Sequence, residues 1–73
     1  FDQANARRYF EKAIEIDPDF MEARASYAGM LLDVGDLDEA IRQLNLVTNR
    51  DKGNAMAWYL QAQAYCRKEI YAD

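Results

Sequence analysis

The sequence repeats itself at an interval of 34 residues. Asp2, Ala6, Arg8, Asp17, Ala23 and Ala28 return as Asp36, Ala40, Arg42, Asp51, Ala57 and Ala62, and Phe10 and Ala13 return as Leu44 and Val47. The matches are few, but they fall on small and apolar positions at helical spacing. Self-similarity with a period of about 34 residues marks stacked helical hairpins, each too small to bury its apolar face without its neighbours. Arrays of that kind act as binding scaffolds more often than as catalysts.

At 73 residues the chain makes one small domain, and a domain of that size buries only about 60% of its unfolded surface. Its apolar residues therefore have to pack efficiently. They make up 51% of the chain against 30% charged residues, a balance suited to a globular fold and not to a disordered one. The net charge is −4, and no basic cluster exceeds a pair such as Arg7-Arg8. Neither nucleic acid nor an anionic membrane is expected as a partner. Cys66 is the one cysteine, and there is no histidine, so a disulfide framework, a thiolate metal site and the commonest general base are all missing. No cofactor, metal or enzymatic activity is expected. No apolar run approaches the roughly 20 residues of a membrane span, and no signal-peptide pattern is visible. The chain opens at Phe1 without a methionine, so it is read as a piece of something longer, with a cytoplasmic setting expected.

Start and stop signals place four helices, over about 2–17, 19–34, 36–50 and 54–68. Asp2 is the expected N-cap of the first, which carries Ala6, Phe10, Ala13 and Ile14 on one face and stops at Pro18. The second is expected to open at Asp19 with Glu22 completing a capping box. Its apolar face is Ala23, Tyr27, Ala28 and Leu31, and Gly35 ends it. The third opens with a second expected capping box, Asp36 with Glu39, and carries Leu37, Ala40, Ile41, Leu44 and Val47. Gly53 turns the chain into the fourth, which presents Ala55, Trp58, Ala62 and Tyr65. Connections this short predict antiparallel neighbours. The alanines Ala6, Ala28, Ala40 and Ala62 are expected at helix crossings, where small side chains allow an approach of about 8–10 Å.

These residues resemble the tetratricopeptide repeat. The resemblance rests on Ala6, Phe10, Ala13 and Pro18, on Tyr27-Ala28 with Leu31, and on Gly35-Asp36-Leu37-Asp38-Glu39-Ala40-Ile41. Ala57-Trp58-Tyr59 with Ala62 and Tyr65 is similar to the opening helix of the next repeat. The resemblance implies an all-α fold, with antiparallel hairpins stacked as a right-handed superhelix (an α-solenoid). The chain would then hold the second helix of one repeat, a complete middle repeat and the first helix of a third. It departs from the family pattern at Arg24, where an aromatic is usual, at Gln61 for leucine, at Lys52 for proline, and at Arg7 for an apolar residue.

The family resemblance implies an inner groove lined by the second and fourth helices, in which ligands bind. Its positions fall on Glu22, Ala25, Ser26, Gly29, Leu32 and Asp33, and on Met56, Tyr59, Leu60, Gln63, Cys66 and Arg67. Met56, Tyr59 and Leu32 place apolar groups on a face otherwise expected to be polar. Gly29 costs about 1 kcal/mol in mid-helix relative to alanine, which either admits a ligand backbone or relieves crowding. Family members that clamp the C-terminal carboxylates of heat-shock chaperones use cations and an asparagine in this groove. Here Ala25, Ser26, Gly29, Met56 and Leu60 hold those slots, so that specificity is set aside. The acidic residues Asp33, Asp36, Asp38 and Glu39 lack the spacing of a calcium loop, and Cys66 beside Arg67 is read as a small apolar side chain or a chance surface thiol.

Two functions follow. The first is a non-catalytic scaffold that holds a peptide or helix of a protein partner in the groove. The second is a structural spacer or oligomerisation segment of a larger protein, for example one appended to an enzyme such as a glycosyltransferase. A repeat array needs neighbours on both sides, so both ends are expected to expose apolar surface. Self-association end to end, or by swapping a helix, is the corresponding expectation.

Overall fold

The computed structural model describes residues 3–71, and the side chains of 4–70. Four helices follow one another: α1 (Gln3–Ile16), α2 (Met21–Val34), α3 (Leu37–Arg50) and α4 (Ala55–Tyr71). No strand occurs among the described residues. The N-cap expected at Asp2 lies outside them.

Each connection is closed by local hydrogen bonds. After α1 the Asp17 amide donates to the Ala13 carbonyl at 3.0 Å, and the Phe20 amide donates to the Asp17 carbonyl at 3.0 Å across Pro18. The Asp19 amide donates to the Asp17 carboxylate at 3.2 Å. Asp19 is therefore a turn residue, and its own carboxylate pairs with Arg50 of α3. The second helix begins later than expected, at Met21, and no side chain caps it. The capping box of Asp19 with Glu22 does not form, because the Pro18 turn and Arg50 have claimed Asp19.

Gly35 ends α2 at φ 87°, in the left-handed region. Its amide donates to the Leu32 carbonyl at 3.1 Å, and the Asp36 amide donates to the Leu31 carbonyl at 2.9 Å. This paired pattern is a Schellman motif, and it needs a residue without a Cβ at its left-handed position. Asp36 is the N-cap of α3, but its side chain caps nothing, contrary to the second expected capping box. Its carboxylate lies 3.7 Å from Arg7, while Glu39 is turned toward Arg42 and Gln43. A side-chain cap does appear at Asn54, whose Oδ1 accepts from the Ala57 amide at 3.1 Å. The Trp58 indole N–H donates to the Lys52 carbonyl at 2.9 Å and holds the Gly53 turn from the other side. No breaker follows Arg67, so α4 continues to Tyr71, past the expected end, and Lys68 ties it to Asp38.

The packing centre is α2, which touches all three other helices, whereas α1 touches α2 alone. Ala28, Leu31, Ala40, Leu44 and Val47 are fully buried between α2 and its neighbours. Ala28 and Ala40 sit at the close approach expected of them. Ala62 does not: it is exposed, and α4 packs instead through Ala57, Ala64 and the partly buried Leu60. The face of α4 that carries Trp58, Ala62 and Tyr65 is turned away from the core. The Cα envelope is only 16 Å across its short axis, and among the described residues the largest side chains fully sealed from solvent are Leu31, Leu44 and Val47.

One of the departures from the repeat pattern, Arg24, opens a polar chain. Arg24 donates from Nε to the Pro18 carbonyl at 2.9 Å and from Nη1 to Gln43 Oε1 at 2.8 Å. Gln43, 4% exposed, passes a bond at 2.9 Å to Glu39, which also accepts two from Arg42 at 2.7 and 3.0 Å. Hydrogen bonds from Arg42 hold the Glu39 carboxyl below the usual glutamate range, with Gln43 and Arg7 helping and burial opposing. A buried amide is tolerated because both its oxygen and its nitrogen are engaged. Arg7, another departure, is placed beside Glu11 and Asp36 at 3.8 and 3.7 Å.

Candidate functional site

A furrow of about 490 Å³ crosses α2 between α1 and α4, lined by Phe10, Ala25, Ser26, Gly29, Met30, Asp33, Met56 and Leu60. Positions 25, 26, 29, 30 and 33 recur at three- and four-residue steps, so one face of α2 forms the floor. Phe10 makes one bank, and Met56 and Leu60 the other. The lining is apolar except for the Ser26 hydroxyl and the Asp33 carboxylate, both exposed.

Gly29 lies in the middle of the floor. A Cβ built there would meet only Leu60 Cδ1, at 3.8 Å, an ordinary contact distance. Crowding therefore does not account for the glycine, and bare backbone is presented at the centre of the furrow.

Of the residues expected to line a groove, Ala25, Gly29, Asp33 and Met56 are brought together here, with Ser26 and Leu60. Others lie elsewhere. Leu32 is 3% exposed and belongs to the core. Its carbonyl accepts from Arg67 Nη1 at 2.9 Å, so that guanidinium staples α4 to α2. Tyr59 and Gln63 are joined by a 3.0 Å hydrogen bond and do not line the furrow, and Cys66 is exposed. Glu22 borders a second, smaller depression with Tyr9, Phe10, Ala13, Phe20, Ala23 and Ser26. Phe10 belongs to the furrow although its spacing marks it as core, and Met30, assigned to neither by the sequence, joins it. Both do pack on the core, and they show their remaining surface to the furrow. Partial burial of that kind has no signature in one-dimensional periodicity.

Burial raises the Tyr27 phenol above its usual value, against the opposing pull of Arg7, with Glu11 and Glu39 adding to the rise. Among the described residues, no group of three acidic, histidine or cysteine side chains converges on one point. No described helix is long and apolar enough to cross a membrane.

Helical hairpins repeated at 34 residues, joined by a Schellman turn and flanked by an open furrow, bring comparison with known proteins to a clear result. The tetratricopeptide repeat model matches residues 2–64. The chain belongs to the tetratricopeptide repeat family. Tetratricopeptide repeat protein 37 of Xenopus laevis is 37% identical over 68 residues, which is 90% of this chain and 4% of that protein. The chain thus spans a small fraction of the length of this relative. No solved structure gives a significant match.

Proposed function

We propose that this tetratricopeptide repeat segment is a protein-interaction scaffold whose furrow across α2 holds a segment of a partner protein. The family is in general one of non-catalytic scaffolds, which supports the class of function. The observation that supports the site is Gly29: it weakens the helix, nothing around it needs the space, and it lies between the apolar groups of Met30, Met56 and Leu60. A bound backbone can approach closest where a side chain is missing. The lining favours a segment with two or more apolar side chains and a lysine or arginine that reaches Asp33. No cation lies among the furrow residues, so an acidic peptide is not favoured.

Selection of peptides from a random library against the chain tests this reading, with binders then mapped by amide chemical-shift changes. The expected binders are apolar with a basic residue, shift Ser26, Gly29, Met56 and Leu60, and lose affinity for Met56→Arg but not for Tyr59→Ala. Binders that map to Tyr59 and Gln63 and ignore Met56→Arg would refute the furrow as the site. The alternative role as a spacer predicts no selectable binder at the furrow.

A further inference from the structure

α2 supplies the floor of the furrow, and α4 supplies one bank through Met56 and Leu60. These two helices nevertheless pack on each other more slightly than any other touching pair. At the middle of their seam Gly29 has no side chain. Apart from the backbone of α2 itself, only Leu60 Cδ1 comes within 4 Å of the place a Cβ would take. The interlocking of side chains that fixes one helix against another is therefore missing there. The distance and rotation of α4 over the floor have to be set elsewhere along the seam.

Arg67 meets that requirement. Its Nη1 donates to the Leu32 carbonyl at 2.9 Å, the one hydrogen bond between α2 and α4 among the described residues. The same carbonyl accepts from the Gly35 amide at 3.1 Å, within the left-handed turn that ends α2. α2 has no basic residue in its own last turn, and the guanidinium of Arg67 supplies the cation that a helix C-terminus favours. Leu60 and Arg67 stand seven residues apart, close to two helical turns, so they share one face of α4, with Met56 a turn before them. A rotation of α4 that broke the Arg67 bond would carry Met56 and Leu60 away from Gly29 at the same time. The other polar ties of α4, Gln61 with Asn45 and Lys68 with Asp38, lead to α3 at the surface. Neither spans the seam.

We propose that Arg67 is a positioning residue of the furrow. Its hold on the C-terminus of α2 fixes the separation and rotation of α4, and with them the opening between Gly29 and the bank of Met56 and Leu60. This role rests on the furrow being the binding site. Arg67 does not line the furrow, so it acts on affinity through where it holds Met56 and Leu60 and not through contact with the ligand. The family resemblance puts Arg67 on a groove position, and its contribution there is geometric.

Arg67→Leu keeps an apolar stem and removes the donor, while Arg67→Lys keeps a cation that can reach the carbonyl. The first readout needs no ligand. In methyl-labelled chain, a nuclear Overhauser effect between the Leu60 methyls and the Gly29 α-hydrogens is expected in the wild type and in Arg67→Lys. It is expected to weaken in Arg67→Leu, with amide shift changes concentrated at Gly29, Met56 and Leu60. Lys68→Leu, which cuts the neighbouring tie to α3, is expected to leave it in place. Circular dichroism checks that each variant is helical, and Arg67→Gln replaces Arg67→Leu if that variant is not. The second readout uses a peptide selected on the wild-type chain. Its affinity is expected to fall about 2- to 30-fold for Arg67→Leu, the range for substitutions that touch no ligand, and to stay within about twofold for Arg67→Lys and Lys68→Leu. An undiminished effect between Leu60 and Gly29 in Arg67→Leu, or unchanged peptide affinity, overturns the proposal. Equal weakening in Lys68→Leu also overturns it, by making Arg67 an ordinary fold contact. Failure to select any peptide counts against the furrow as a binding site, and the ligand-free readout still decides whether Arg67 places α4.

Discussion

Replacing Gly29 with alanine should stabilise the fold, and the size of the gain can be worked from its surroundings. Alanine is favoured over glycine in a helix interior by about 1 kcal/mol, and Gly→Ala at a compatible backbone position typically yields about 0.4–1 kcal/mol. Gly29 lies inside α2, eight residues after its start, and its φ is not positive. The one opposing effect would be a clash. The new methyl meets Leu60 Cδ1 at 3.8 Å and nothing nearer, so it adds a contact of about 0.1–0.2 kcal/mol instead of forcing a shift. A net gain of about 0.5–1 kcal/mol follows. In a domain of this size 1 kcal/mol corresponds to roughly 4–8 °C in melting temperature, so the variant should melt a few degrees higher. The assay is thermal unfolding followed at 222 nm, with a urea titration beside it. The midpoint should rise while the slope stays unchanged, because the surface exposed on unfolding is nearly the same. Unchanged or lower stability would refute the argument, since it would mean that the furrow floor is tighter, or the helix there less regular, than this geometry states.

Asn54→Ala should cost about 0.5–2 kcal/mol, as the loss of an N-cap hydrogen bond does, whereas Asp36→Ala should cost less than about 0.5 kcal/mol because it removes only an exposed ion pair; denaturant midpoints of the two variants decide the order. Ala28→Leu should destabilise by about 1–3 kcal/mol through overpacking at the α2–α3 crossing, where Ala28 and Ala40 are both fully buried; a stable, unperturbed variant in thermal melts would show slack at that crossing. The Glu39 carboxyl is held below its unfolded value by Arg42. Its stabilisation is therefore complete above the ordinary glutamate range and lost as the pH falls through the lower, folded value. Glu39→Gln should flatten the acid side of the stability–pH curve between those two values, and an unchanged acid limb would show that other carboxylates carry it.

The period of 34 residues, the four helices and their three turns were legible in the chain alone, because each rests on short-range chemistry. Helical spacing, the Pro18 stop and the Gly35 left-handed turn are settled within a few residues of themselves. Most of the furrow lining was implied by the family resemblance: Ala25, Ser26, Gly29, Asp33, Met56 and Leu60 fall on its groove positions, whereas Phe10 and Met30 do not. What the tertiary structure decided are the choices among competing partners. Asp19 and Asp36 are good capping residues, yet Arg50 and Arg7, which come near only in the fold, draw their carboxylates away. Arg24 looks like a misfit in the repeat pattern until a separation of 19 residues closes into its hydrogen bond with Gln43. Leu32 is buried and Ala62 exposed for a related reason. α2 is apolar on nearly every side and is covered by three helices, whereas α4 is covered by two. Helical phase says which residues share a face, but only the positions of the neighbouring helices determine which face is covered.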